Sequence, residues 1–108
     1  MKIPQEGCLL RVFIGESDKW HGAPAYEAIV MKAREMHLAG ATVLKGVMGY
    51  GASSRLHTAK VLRLSEDLPV IVEVVDSREK LDQILPFIEE VVTHGLVTLE
   101  RAEVIWYR

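Results

Sequence analysis

The run VIVEVVD, Val70 to Asp76, decides how the rest of the sequence is interpreted. Its β-branched residues predict a strand, and the single charge at Glu73 indicates that one face of this strand meets solvent or another subunit. A polar stretch, GYGASSRLHTAKVLRLSEDLP from Gly49 to Pro69, precedes it, and the apolar run ATVLKGVMGY comes before that. Two strands therefore follow one another with a long excursion, and not a helix, between them.

One helical pattern precedes the first of these two strands in the sequence, and another follows the second. The stretch PAYEAIVMKAREMHL, Pro24 to Leu38, carries apolar residues three and four apart and predicts a helix that Gly40 caps at its C-terminus. A second helix is predicted after the run VIVEVVD, with Asp76 or Ser77 as its N-cap and a kink at Pro86. The excursion is thus flanked by a helix and strand on one side and by a strand and helix on the other.

One more strand is predicted at each end of the chain. Cys8 to Ile14 is short and apolar, and LVTLERAEVIWY, Leu96 to Tyr107, alternates apolar with polar residues, whereas GESDKWHGAP, residues 15–24, is polar and predicted as a loop. The full order predicts one α+β domain over residues 1–108, a ferredoxin-like βαββαβ sandwich with a four-stranded antiparallel sheet and two helices on one face. The uncovered face is expected to be partly buried by self-association.

Composition limits the partners that this chain can have. It has 108 residues, 49% of them hydrophobic, and a formal net charge of −2, so no global positive field exists to attract nucleic acid or an anionic membrane. The single cysteine, Cys8, excludes an intrachain disulfide and is expected to pack in the core. The N-terminus MKIPQEG lacks a signal-peptide apolar region and no run is long enough to span a bilayer, which predicts a cytoplasmic protein.

Catalytic and metal-binding patterns are weak. The four histidines, at positions 21, 37, 57 and 94, show no metal-ligand spacing on a common element, so no metal and no cofactor is predicted. One enzymatic alternative remains, in which His57 acts as a base and Asp67 or Glu66 orients it.

The excursion from Gly49 to Pro69 is more informative. Gly49 and Gly51 flank Tyr50, which would let the backbone bend sharply while exposing a ring and free amides. Four basic residues follow within a short span: Arg55, His57, Lys60 and Arg63. Their positive charge could bind a phosphate or an acidic protein surface. The plainer interpretation is an extended hairpin whose charges remain in water.

These segments resemble a known family. GATVLKGVMGYGASSRLHTA is similar to the stretch around the T-loop of PII signal-transduction proteins. More closely, GESDKWHGAPAYEAIV, AGATVLKGVMGYG, LSEDLPVIVEVVD and GLVTLERAEV together resemble the PII-like family called domain of unknown function one-ninety, across nearly the whole chain. The resemblance implies a ferredoxin-like subunit that forms a homotrimer, with ligand clefts between neighbouring subunits.

Candidate ligand-binding residues follow from this resemblance. Gly49, Tyr50 and Gly51 match the turn at the base of the PII T-loop, where nucleotide would bind, His57 with Thr58 matches a pair inside the loop, and Lys45 lies in the same segment. The basic residue after the PII turn is Ala52 here, and the glycine-rich phosphate loop before the last strand is reduced to THGLV. Lost charge-assisted contacts are worth about 1.5–3 kcal/mol each. They could be replaced by Lys19, His21, Arg55 and Lys60.

The resulting hypothesis is a non-enzymatic, trimeric PII-like regulatory protein. It would bind a small ligand, such as an adenine nucleotide, at subunit clefts and control a partner protein through the 49–69 loop. The alternative is a ligand-independent structural trimer or an adaptor for a membrane transporter or channel, since some members of the family lie beside fluoride-channel genes.

Overall fold

The computed structural model describes residues 6–51 and 67–108, and the backbone alone of residues 57–58. Its helices are α1 (Ala25–Glu35) and α2 (Arg78–Val91). The strands are β1 (Glu6–Gly15), β2 (Lys19–Trp20), β3 (Ala23–Pro24), β4 (Ala41–Lys45), β5 (Met48–Gly49), β6 (His57–Thr58), β7 (Pro69–Asp76) and β8 (Leu96–Glu103).

The long strands form one four-stranded sheet in the order β4-β7-β1-β8. Every neighbouring pair is antiparallel, with Val12 opposite both Val72 on β7 and Val97 on β8. The first and third long strands along the chain are therefore central, and the other two form the edges. This arrangement confirms the predicted ferredoxin-like α+β fold.

The core lies between the sheet and the two helices. Alternate residues of β1 and β7 point toward the helices, because successive side chains of a strand face opposite sides. Leu10, Val12 and Val72 on these strands are fully buried, as are Ile29 of α1 and Leu81 of α2. Among the described residues no helix combines the length and apolarity that a membrane span requires.

The C-terminus of α1 differs from the prediction. His37, and not Gly40, takes the left-handed conformation, with φ of 59°. The Leu38 N–H donates to the Ala33 carbonyl at 3.0 Å and the His37 N–H donates to the Arg34 carbonyl at 3.1 Å, which is the Schellman arrangement. The predicted Gly40 cap is wrong because α1 ends at Glu35 and His37, three residues before Gly40, already takes the left-handed position.

The N-terminus of α2 is capped by Ser77, whose hydroxyl accepts a hydrogen bond from the Lys80 N–H at 3.2 Å. Asp76 has another role, since its carboxylate accepts from the N–H groups of Ser77 and of Ala39 before β4. The helix continues through Pro86 to Val91 as one element, as predicted.

Three predicted boundaries need correction. The stretch 15–24 is not only loop, because β2 and β3 pair in a hairpin whose two central residues, His21 and Gly22, have φ of 50° and 82°. Positive φ at both positions is what a type I′ turn requires. The strand β4 ends at Lys45, and β8 ends at Glu103 and not at Tyr107.

The sheet face opposite the helices, here called the open face, combines an apolar row with a charged row. The strand register aligns one row of four residues across all four strands: Leu44, Ile71, Phe13 and Leu96. In the neighbouring row Arg11 donates from Nε to Glu73 at 2.9 Å, and from a terminal nitrogen it also donates to Glu100, which lies one row further along β8. The hydrogen bond to Glu73 is the largest cause that raises the pKa of Arg11, and burial opposes it.

Candidate ligand site at the base of the loop

One turn, Gly15 to Asp18, contacts the far end of the 49–69 excursion and also the segment just before its start. The Glu16 N–H donates to the Leu68 carbonyl at 2.8 Å, and the Ser17 N–H donates to the Asp67 carboxylate at 2.8 Å. On the incoming side, Lys45 pairs with Glu16. We call the residues Gly15–Asp18, Lys45–Gly46 and Asp67–Pro69 the loop base.

The turn itself is fixed by its own sequence. The carboxylate of Asp18 accepts from the Gly15 N–H at 3.0 Å, and the Asp18 N–H donates back to the Gly15 carbonyl at 3.2 Å. The Asp18 carbonyl then accepts from the N–H of Ala25, the first residue of α1, at 2.7 Å. Short polar side chains favour such local backbone contacts. The turn therefore links β1, α1 and the loop base.

Gly46 lies where two backbone segments approach each other closely. Its N–H donates to the Pro69 carbonyl at 2.7 Å, and a Cβ added to it would lie 2.8 Å from Pro69 Cγ. A Cβ on Gly49 would lie 3.1 Å from the same atom. These glycines let the segment before the excursion pass directly over the first residue of β7.

The predicted turn residues stand at the start of the excursion. β5 pairs with β6, with Gly49 opposite His57, so the excursion begins as a two-stranded ribbon. Tyr50 is 73% exposed, and a Cβ added to Gly51 would have no neighbour within 4 Å among the described residues. The backbone beside Tyr50 is thus accessible to a ligand that reaches the loop base.

Lys45 supplies the positive charge of the described loop base. Its ammonium lies 2.8 Å from a carboxylate oxygen of Glu16, with 55% of the lysine side chain exposed. An exposed ammonium is a suitable partner for a phosphate oxygen. The sequence identified Lys45 but missed Glu16, because the two are brought together by strands that are not neighbours in the sheet.

His21 lies away from the loop base, whereas Lys19 directly follows its turn, in β2. The hairpin carries His21 onto Trp20, with ring centroids 3.8 Å apart and an interplanar angle of 11°. Trp20 in turn meets Phe87 of α2 edge to face at 5.1 Å. His21 thus lines a groove of about 410 Å³ along α1, whose other lining residues include Glu27, Met31, Lys32 and Glu35. The structure does not bring His21 to Lys45, and Lys19 stands in β2 opposite Pro24.

Several other predicted residues lie outside the described part of the chain. These are Arg55, Lys60, Arg63 and Glu66, together with the side chain of His57. Asp67 is described, and one of its oxygens already accepts from Ser17. Its observed role is to attach the loop to the turn, whereas the enzymatic alternative assigned it to orienting His57. Among the described residues no cluster of His, Cys, Asp and Glu could hold a metal ion.

The amino-acid sequence is similar to a known family and to several of its members. The model of the DUF190 family, described as an uncharacterized ACR, matches residues 7–104. A UPF0166 protein of Aquifex aeolicus strain VF5 is 39% identical over 100 residues, which cover 91% of this chain and 92% of that protein. The UPF0166 protein MJ1524 of Methanocaldococcus jannaschii is 36% identical over 92 residues, covering 84% of each chain. The resemblance found in the sequence is therefore confirmed.

Two solved structures share the fold at low sequence identity. Both are of CPII from Thiomonas intermedia K12, a nitrogen regulatory PII-like protein, one bound to ADP and bicarbonate and the other to ADP, AMP and bicarbonate. Each is 16% identical and covers 92% of this chain and 88% of the CPII chain, with TM-scores of 0.61 and 0.62. The similarity establishes a PII-like fold.

Proposed function

Since this chain belongs to the DUF190 family and has a PII-like fold, we propose that it is a non-enzymatic regulatory protein that binds an adenine nucleotide at the loop base. Ligand binding would change the arrangement of the 49–69 loop and so control a partner protein. A ligand can shift this balance only by its difference in affinity for the two arrangements.

The observation that carries the proposal is the construction of the loop base. One turn, Gly15 to Asp18, contacts the chain both before and after the excursion, and the contact on the incoming side is made by Lys45. A phosphate placed on Lys45 would therefore act beside the turn that holds the far end of the loop and contacts the segment before it. CPII, with the same fold, is bound to ADP, which supports an adenine nucleotide as the ligand to test first.

The open face supports assembly of the proposed trimer. Its two outermost apolar residues, Leu44 and Leu96, are 44% and 56% exposed in the single chain. Contiguous apolar surface of this kind marks an interaction site, and burial by further copies would leave the loop base at the edge of each subunit. We propose that the ligand clefts form there, between neighbouring subunits in the cytoplasm.

Thermal unfolding with the assembly mass recorded tests the proposal. The panel contains ATP, ADP, AMP, cyclic mono- and dinucleotides, 2-oxoglutarate, bicarbonate and fluoride. A ligand at a hundred times its dissociation constant should add about 2.7 kcal/mol per site if it binds only the folded state. We expect an adenine nucleotide to stabilise the protein and the other anions to have little effect.

A pair of lysine variants locates the site. Lys45→Ala should weaken nucleotide binding by about tenfold or more, because a hydrogen bond to a charged group is worth about 1.5–3 kcal/mol. Lys32→Ala is the matched control, since Lys32 also pairs with a glutamate, Glu35, at 3.7 Å, but in the groove along α1. Equal loss in both variants would place the nucleotide elsewhere. An intact trimer that no ligand stabilises would favour the adaptor alternative.

A further inference from the structure

Lys45 is not a free cation in this structure. The Glu16 carboxylate lies 2.8 Å from its ammonium, and 31% of the Glu16 side chain is exposed. A phosphate group that approaches Lys45 therefore meets an ammonium that already has an anionic partner. It also meets the negative charge of that partner, which repels it.

The Glu16 side chain is not needed to hold the turn in place. The turn is attached to the far end of the loop by the Glu16 and Ser17 N–H groups, which donate to the Leu68 carbonyl and the Asp67 carboxylate, each at 2.8 Å. It is closed by Asp18, which binds the Gly15 N–H. The Glu16 carboxylate can thus leave Lys45 while these backbone contacts persist.

From this arrangement we infer that Glu16 is an internal competitor for the ligand. Its carboxylate occupies Lys45 when the site is empty, and a phosphate-bearing ligand binds by displacing it. This inference rests on the proposed function only for the choice of a nucleotide as the ligand. The competition itself applies to any polyphosphate that binds Lys45. Glu16 sets the affinity, and it favours ligands that place more negative charge at this point, because these compete better with a carboxylate.

The effect of removing this competitor follows from ordinary ion-pair strengths. Exposed ion pairs of this kind correspond to about 1.5- to 5-fold in an equilibrium constant, and loss of the repulsion between Glu16 and the phosphate adds to that. Glu16→Gln should therefore bind ATP about three- to tenfold more tightly than the wild-type protein. Without ligand its unfolding temperature should be equal or slightly lower, because an ion pair has been lost.

Calorimetric titration with ATP and with inorganic tripolyphosphate tests the inference on the full chain. Asp82→Asn is the matched control, since it also removes one negative charge from a pair, the one with Arg78 at 2.8 Å on the surface of α2. We expect Glu16→Gln to bind both anions more tightly and Asp82→Asn to bind them as the wild-type protein does. Equal gains in both variants would mean that net charge alone acts, and would overturn the inference.

The two probes separate this inference from the proposed function. If tripolyphosphate binds, and binds more tightly to Glu16→Gln, while ATP binds neither protein, the competitor role of Glu16 stands and the nucleotide proposal fails. If ATP binds the wild-type protein and Glu16→Gln equally, the nucleotide proposal stands and the competitor role is refuted. If Glu16→Gln binds neither anion, the competitor role is also refuted.

Discussion

Asp76 is the most buried charged residue among those described, and its replacement should cost more stability than that of any surface carboxylate. It is 1% exposed at the end of β7. One oxygen accepts from the Ser77 N–H at 2.7 Å and the other from the Ala39 N–H at 2.9 Å. The side chain thus holds the start of α2 and the turn before β4 together.

The magnitude can be estimated from these two contacts. A hydrogen bond to a charged group is worth about 1.5–3 kcal/mol, and a buried donor left without an acceptor carries a similar penalty. Asp76→Asn keeps one acceptor oxygen but turns an amide N–H toward the second donor, so we expect a loss of about 1.5–3 kcal/mol. Asp76→Ala removes both acceptors and should cost about 3–5 kcal/mol, a large fraction of a typical domain's total stability.

Urea-induced unfolding measures this loss, at one fixed protein concentration because the stability of the proposed trimer would depend on concentration. Asp82→Asn provides the control. Asp82 is also an aspartate with a hydrogen-bonded partner, but it pairs with Arg78 at the surface of α2 and its loss should cost less than about 1 kcal/mol. If Asp76→Asn were no more destabilising than Asp82→Asn, the argument from burial would be wrong.

Three further predictions concern other parts of the fold. His37→Gly should raise the free energy of unfolding by about 0.5 kcal/mol, because glycine adopts the left-handed conformation without strain, while Gly40→Ala should not lower it, because Gly40 is not left-handed. Leu96→Lys should dissociate the proposed trimer in sedimentation experiments, whereas Met31→Lys, equally exposed on α1, should not. The stability lost in Arg11→Gln should be the same at neutral pH and at about pH 9. The raised pKa of Arg11 means that its contribution is complete below the ordinary pKa of arginine and lost only above the raised value.

Periodicity was sufficient to predict the long elements of the fold. The residue types of Val70 to Asp76 alone predict a strand, and the apolar stripe that follows Arg78 alone predicts a helix. Local sequence signals did not predict which residue ends α1 in the left-handed conformation, because two residues were candidates. Gly40 is the better left-handed residue by type, yet His37 takes that position, because burial of Leu38 at 7% exposure fixes where the helix must turn.

The candidate site was predictable only in part. The glycines around Tyr50 and the lysine of ATVLK stand out in the sequence, and Gly46 is explained once Pro69 is seen beside it. The pairing of Lys45 with Glu16 joins residues 29 positions apart, and it depends on how β4 and the turn after β1 meet around β7. No local pattern encodes such a contact, because it arises from strand register and not from neighbouring residue types.

The same ion pair limits how strongly a ligand could act on the loop through Glu16 alone. A pair exposed to this degree contributes about 0–1 kcal/mol, so its displacement can change a loop equilibrium by about fivefold at most. A switch that is nearly complete requires about 5.5 kcal/mol of differential affinity. The remainder would have to come from contacts that differ between the two loop arrangements, or from several sites acting together in the proposed trimer. Glu16 therefore adjusts the threshold of the response, while the contacts of the loop itself determine its extent.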